Sequence, residues 1–486
     1  MTTLAASAML WLICAATSLA SAPARTSSAS AAWRLAAIDL EVNLDFADEK
    51  LSGSVGLEVE NVSSEPASTL SLLLGRLMRF DRVSLPEGAN VPFEQEVVTF
   101  VDSPKEQVNH ALLHLPGAVP PGGRTAVHVA YSGFLVGYTE TGSLYIQDRI
   151  DPEFTILRVD AYAFPVVGVP SREGNKAIPM SDFPFQVRVT VPKGLTVANG
   201  GELVGRDEHG DRVTWRYRSL APAPFLNVTI APYELTEADG IRLFAFPKDH
   251  EGAIRVRKAA RDALALYERW FGPTATPPRF ALIEIPRDWG SQASLAGGVI
   301  QTASTFQDPG GMIELYHEIS HFWNVPDREP QSPRWNEGLA SYLQYRVAEE
   351  LEGRKDLDEV LEARVTRLRE RLPGTPRLAE VPFADYGKAG MTDESYPVGR
   401  LMFAVLEKAV GPDGFRRIVG GFYQRYKTTG ATTRDFIAFA GQTGGAPVAA
   451  LLGEWMTSTR WVSRLSTGQS LTEIAASYRG IPPKRP

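Results

Sequence analysis

From Ile38 to Phe46 apolar and polar residues alternate without a break, with Ile38, Leu40, Val42, Leu44 and Phe46 on one face. A period of two is that of a strand with one buried side. Val55, Leu57 and Val59 repeat the pattern after Ser52-Gly53, and Phe185, Val187, Val189 and Val191 repeat it up to Pro192-Lys193-Gly194. Val213, Trp215 and Tyr217 follow the Asp211-Arg212 turn, and glycine and proline punctuate the intervals, as at Pro120-Pro121-Gly122-Gly123. Residues 37–235 are therefore expected to form one β-rich domain of antiparallel strands. The period changes near Ala238-Asp239-Gly240. Gly252 to Trp270 is helical in period and stops at Gly272-Pro273. Strands are expected at 280–285 and 298–305, then helices at 311–324, 335–351, 357–372, 395–410, 413–427, 433–441 and 447–461. The β-to-α switch sets a domain boundary near residue 236, with a second domain over 236–465 and a tail over 466–486.

A chain of 486 residues is long enough for two or three domains with developed cores. Its net charge of −7 offers no basic footprint, so no nucleic-acid partner is expected. Residues 4–22 carry no charge and are mostly apolar, and small residues follow at Ala22-Pro23-Ala24. This pattern predicts a signal peptide over 1–24, a flexible lead-in over 25–36 and a secreted or periplasmic protein with no stable membrane span after cleavage. An uncleaved N-terminal anchor is the alternative, since the apolar run approaches spanning length. Cys14 is the one cysteine and lies inside that segment, so the mature chain has neither disulfides nor cysteine metal ligands.

The chemistry concentrates at residues 317–321, His-Glu-Ile-Ser-His. Two histidines four apart on a helix share one face and can share one metal ion. Glu318 stands beside them, placed to take a proton from water activated by the metal. A third ligand must come from elsewhere, and Glu337, in Asn336-Glu337-Gly338 at the start of the next helix, is the candidate. Two histidines and a glutamate leave one position of a tetrahedral zinc open, as a catalytic site requires. One Zn2+ per chain is expected. His110, His114, His128 and His209 have no partner at metal spacing and read as strand or turn residues.

A β-rich domain, a short sheet, a helix bearing HExxH and another bearing Asn-Glu-Gly resemble the aminopeptidase N (membrane alanyl aminopeptidase) family of gluzincin zinc metallopeptidases. His317, Glu318, His321 and Glu337 match that family's zinc signature. Tyr396, in Ser395-Tyr396-Pro397-Val398-Gly399-Arg400, falls where the family carries its catalytic tyrosine. Leu401 to Ala438 resembles the helices that close the catalytic domain, and Ile38 to Val55 resembles the start of the N-terminal domain. The resemblance implies an N-terminal antiparallel β domain followed by a thermolysin-like α+β, mostly helical, catalytic domain. The segment His321-Phe322-Trp323-Asn324-Val325 also resembles the glycyl-aminopeptidase gluzincins.

Four departures bear on substrate. The spacing from His321 to Glu337 is shorter than usual, with the deletion in the proline-rich loop Pro326 to Pro333, where length is easily tolerated. The family's aminopeptidases hold the free amine of the substrate with the glutamate of a Gly-x-Met-Glu-Asn stretch. The matching segment here, Gln292-Ala293-Ser294-Leu295-Ala296, puts Leu295 at that position. The family's Phe-Pro-Cys-Phe-Asp-Glu-Pro segment is replaced by Ala163-Phe164-Pro165-Val166-Val167. The large helical C-terminal domain of many members has no counterpart, which implies an open cleft.

The expected protein is thus a zinc metallopeptidase acting on a peptide or protein substrate, with doubtful aminopeptidase specificity. Glu318 is the expected base, Tyr396 the oxyanion donor, and Gly297 and Gly298 lie in a stretch expected to supply an edge strand for an extended peptide. A packed aromatic at 396 and a plain Gly-Gly turn are the simpler readings. A non-catalytic zinc scaffold, or a zinc hydrolase of an ester or epoxide, remains the alternative class.

Overall fold

The computed structural model describes residues 32–135, 149–172, 175, 182–275, 279–287, 289–294, 297–329 and 331–479. The expected signal peptide and most of the lead-in lie outside them, as do Leu295 and Ala296.

The first strand, Trp33–Asp45, begins inside the expected lead-in, because Trp33 is fully buried and its indole N–H donates to the carbonyl of Thr69 at 2.7 Å. It pairs antiparallel with Lys50–Asn61, aligning Leu40 with Val55 and Leu57 with Ile38. Its other edge pairs parallel with Phe185–Pro192, Ile38 opposite Phe185. That parallel pairing departs from the all-antiparallel expectation, and it is possible because a long connection rather than a hairpin joins the two strands. The sheet has seven strands. A four-stranded sheet containing Ala67–Gly75 and Ser103–Val119 shares a core with it. The alternating residues named above, Leu40, Val42, Val55, Leu57, Val187 and Val189, fill that core.

The second sheet has five strands in the spatial order Glu234–Ala238, Ile241–Ala245, Phe280–Ile285, Gly298–Thr302 and Gln292–Ser294. Gln292–Ser294 is its edge strand, antiparallel to Gly298–Thr302. The strand expected to reach residue 305 stops at Thr302 and turns into the short helix Ala303–Gln307. Helices follow: the motif helix Met312–Ser320, the glutamate helix Trp335–Glu352, and the tyrosine helix Ser395–Tyr426. Within the last, Gly411 has φ 74° and ψ 166°, followed by Pro412, so the expected break falls there between two helical halves. Of the segment expected to be a tail, the described residues, 466–479, instead continue the fold. Helix Leu471–Ala476 opens with a capping box of Ser470 and Glu473 and buries Leu471, Ile474 and Ala475 in the same core as the motif helix. No helix among the described residues is long and apolar enough to cross a membrane.

The two domains meet at glycine. A Cβ added to Gly298 would lie 2.8 Å from the Cα of Gly200, and Gly297 has φ 108° with Leu220 against it. Beside them Asn227 of the β domain donates through Nδ2 to Oε1 of Gln292 at 2.7 Å.

Candidate active site

The motif helix is buried through Leu315, Tyr316 and Ile319, which turns His317, Glu318 and His321 toward the cleft as one patch. Its end is held locally: the Ser320 hydroxyl donates to the carbonyl of His317 at 2.7 Å, and a tight turn, His321–Trp323, follows. The imidazoles of His317 and His321 stand 5.0 Å apart, nearly perpendicular. Glu337, in the first turn of the glutamate helix, places its Oε2 3.3 Å from Nε2 of His317 and 3.5 Å from Nε2 of His321. The three donor atoms lie within 4.8 Å of one another, the one such His/Asp/Glu group among the described residues.

This donor set fits zinc. Both Nε2 atoms face the shared point because each Nδ1 is engaged behind, with Oε1 of Gln344 at 2.9 Å from His317 and the amide of Asn324 at 2.8 Å from His321. An imidazole that binds metal through Nε2 carries its proton on Nδ1. Gln344 presents the acceptor that proton needs, and a flip of the Asn324 amide gives His321 the same. Glu337 offers the anionic donor of the set. Burial pushes its carboxyl up, but the nearby His321, His317 and Arg334 outweigh that and hold it well below the usual carboxylate range.

Glu318 is buried beside the ligands, and the edge strand Gln292–Ser294 lies against the motif helix that bears it. Burial raises its pKa to about 7, opposed by the charge of His317. Tyr396 stacks on His317, ring centroids 6.2 Å apart and planes within 6°. Its hydroxyl is raised above the usual phenol range by burial and by the charge of Glu337.

What carries Tyr396 there is a helix crossing without side chains. A Cβ on Gly338 would sit 2.5 Å from the Cα of Gly399 and 2.7 Å from the carbonyl oxygen of Ser395. The Ser395 hydroxyl donates to the carbonyl of Pro333 just before the glutamate helix. The glycines of Asn336-Glu337-Gly338 and Tyr396-Pro397-Val398-Gly399 therefore touch, and the residues beside them, Glu337 and Tyr396, converge.

Other sequence candidates lie elsewhere. Tyr386, ten residues before Tyr396, is sealed in the core against Phe383, and its charged neighbours are Glu394 and Arg371. Glu284 is buried with its Oε2 accepting from the Phe246 N–H at 2.7 Å. Glu314 lies one turn before Glu318, which feels its charge. Gly297 and Gly298 are buried at the contact with Gly200, and Gly298 opens an interior strand. The free edge beside Glu318 belongs to Gln292–Ser294 instead. The sequence reading passed over Gln344, Asn324 and Arg334. A helical signal existed for each: Gln344 lies two turns after Glu337 on the same helix, Asn324 is three residues after His321, and Arg334 is three before Glu337.

No family model matches the chain. In sequence it is similar to a probable aminopeptidase 1 of Sulfurisphaera tokodaii, 22% identical over 313 residues, covering 58% of this chain and 39% of that protein. It is also similar to the human glutamyl aminopeptidase, 20% identical over 358 residues, covering 67% of this chain and 36% of that one. The chain thus spans well under half the length of the curated relatives it matches. In structure it is similar to an M1 zinc metallopeptidase from Deinococcus radiodurans, with a TM-score of 0.64 at 18% identity, covering 87% of this chain and 93% of that one. A mutant of that enzyme bound to a Tyr-Ser-Ala substrate superposes equally, with a TM-score of 0.64. The fold is that of a two-domain M1 zinc metallopeptidase, β domain first and helical domain second. The likenesses support, at low identity, the aminopeptidase N family of gluzincins that the motifs resemble.

Proposed function

We propose that the chain is a zinc-dependent peptidase in which His317, His321 and Glu337 hold the metal and Glu318 is the general base. The observation that carries this reading is one cluster: three convergent ligand atoms, with a buried carboxyl and a phenol against them. Zinc bound there would supply Lewis acidity, polarising a carbonyl and acidifying water. Glu318 takes the proton of the attacking water and delivers it to the leaving amine. Tyr396 donates to the oxyanion as it develops. The strand Gln292–Ser294 offers its free backbone edge to an extended peptide, because strand addition needs only main-chain groups.

A free N-terminal amine is not required of the substrate. An ammonium in a closed cleft needs an anion beside it, and Leu295 stands at the matching position. Acetylated or internal bonds are cleaved comparably or better. The uncharged N-terminal stretch supports secretion or a periplasmic site. A pure scaffold fits less well, since a buried glutamate beside the ligands has no use in structural metal binding.

The test pairs metal analysis with cleavage of a short peptide and its N-acetylated form, on wild type and Glu318→Gln. One zinc per chain in both proteins, with turnover lost only in the variant, supports the mechanism. Near-normal hydrolysis by the variant rules it out, and a strong preference for the free amine overturns the specificity.

A further inference from the structure

The three proposed ligands are each held from behind: His317 by Gln344, His321 by Asn324, and Glu337 by Arg334. The last pairing is unlike the others, because its outer partner is a cation. Arg334 Nη2 donates to Oε1 of Glu337 at 2.5 Å, while Oε2 of the same carboxylate faces the two imidazoles. We propose that Arg334 is a positioning residue for the metal site, fixing Glu337 so that one oxygen alone points at the ion. This rests on the zinc reading above.

The backbone at this position supports the assignment. Arg334 precedes the glutamate helix with φ 56° and ψ 41°, the left-handed region that residues with a Cβ enter at a cost. Its main chain is satisfied without its side chain: its N–H donates to Oγ of Ser332 at 2.9 Å, and its carbonyl accepts from the N–H of Glu337 at 3.0 Å. Glycine would serve the turn with less strain. Packing does not explain the arginine either, since its side chain is 49% exposed while that of Glu337 is 13% exposed. What the left-handed start achieves is direction. It folds the side chain back over its own first helical turn, onto the carboxylate three residues on.

Two effects oppose each other here. The single charge-assisted hydrogen bond from the guanidinium orients the ligand, and partners of that kind typically change metal affinity about 10–100-fold. The positive charge beside a dication acts against binding. Orientation outweighs it, and three variants separate the terms. Arg334→Met removes the donor and the charge and keeps the stem. Arg334→Lys keeps the charge and loses the guanidinium's planar geometry. Arg334→Gly removes the side chain and relieves the backbone.

Zinc affinity is measured by chelator competition on the full chain, with the visible spectrum of the Co2+-loaded protein as a second readout and thermal unfolding of the metal-free protein as a third. Met and Gly variants are expected to bind zinc about 10–100-fold more weakly with an altered Co2+ spectrum. Lys should fall between them and wild type, and the metal-free Gly variant should unfold no earlier than wild type. Affinities of the Met and Gly variants within about threefold of wild type, or higher, overturn the proposal, as does a loss confined to a variant that has lost its fold. If the wild type itself takes up no zinc, the parent reading fails along with this one. Variants equal to a zinc-binding wild type sink the role of Arg334 alone.

Discussion

Gly338→Ala tests whether the contact of the two helices builds the site. The added methyl would lie 2.5 Å from the Cα of Gly399, 2.7 Å from the Ser395 oxygen and 2.9 Å from the Gly399 carbonyl carbon, where ordinary contact begins at 3.4 Å. All three obstacles are backbone, so no side-chain rotation relieves them. The helices must part by about 1 Å, and a displacement of that size near the chemistry can cost on the order of 10²-fold in turnover. Overpacking of this kind also costs about 1–3 kcal/mol of stability. Tyr396 adjoins Ser395 and Glu337 adjoins Gly338, so the phenol is carried off Glu337 and His317 as the helices separate. The reciprocal change, Gly399→Ala, meets the Cα of Gly338 at 2.7 Å and should act alike. The assay is the initial rate of peptide cleavage by zinc-loaded protein, with metal content and the thermal midpoint measured on the same samples. Turnover down about 100-fold with zinc retained is expected. Either variant at wild-type turnover with an unshifted midpoint would refute the reasoning.

Three further outcomes are expected. Tyr396→Phe keeps the ring stacked on His317 but removes the donor, so turnover should fall about 10²–10³-fold with little change in zinc content or stability; unchanged turnover would give the oxyanion to another group. His317→Ala with His321→Ala should abolish stoichiometric zinc by elemental analysis, and zinc persisting in the double variant would overturn the ligand assignment. Glu284→Gln addresses a buried carboxyl whose pKa burial raises to about 9. An acid with a raised folded pKa holds a proton that the unfolded chain releases, so it costs stability increasingly from the ordinary glutamate range up to about pH 9. The glutamine should therefore raise the thermal midpoint at pH 8 and leave it nearly unchanged at pH 4.5, whereas an equal shift at both would argue against a neutral Glu284.

The clustering of His317, His321 and Glu337 was legible because most of its geometry is local. Spacing four on one helix fixes His317 against His321 whatever the rest of the chain does, and Asn336-Glu337-Gly338 opens the next helix. The alternating strands were legible for the same reason, a period read within one segment. What eluded the sequence depends on partners far along the chain. Gly297-Gly298 reads as a turn or a binding edge until Gly200 is seen against it, and nothing near residue 298 announces residue 200. The parallel pairing of Trp33–Asp45 with Phe185–Pro192 is hidden likewise, since alternation gives the buried face of a strand but not the neighbour or its direction. The tail was misread because Leu471, Ile474 and Ala475 form too short a pattern to register, though Ser470 and Glu473 carry the capping signature.

The β domain reaches the candidate site through the edge strand. Gln292–Ser294 is only three residues long and pairs on one side alone, with Gly298–Thr302. A strand so short, at a sheet edge, is held weakly by its own ladder. Two contacts supplement it. Asn227, on a strand of the β domain, ties down the Gln292 side chain, and the motif helix packs against the strand. The Gly200–Gly298 contact brings the domains close enough for the first of these to form, since a Cβ on either glycine would sit 3.1 Å or less from the Cα of the other. The edge strand is thus tied down by a hydrogen bond that reaches it from outside the helical domain. On this reasoning the helical domain carries His317, His321, Glu337 and Glu318, while the β domain helps to hold the short edge strand beside them.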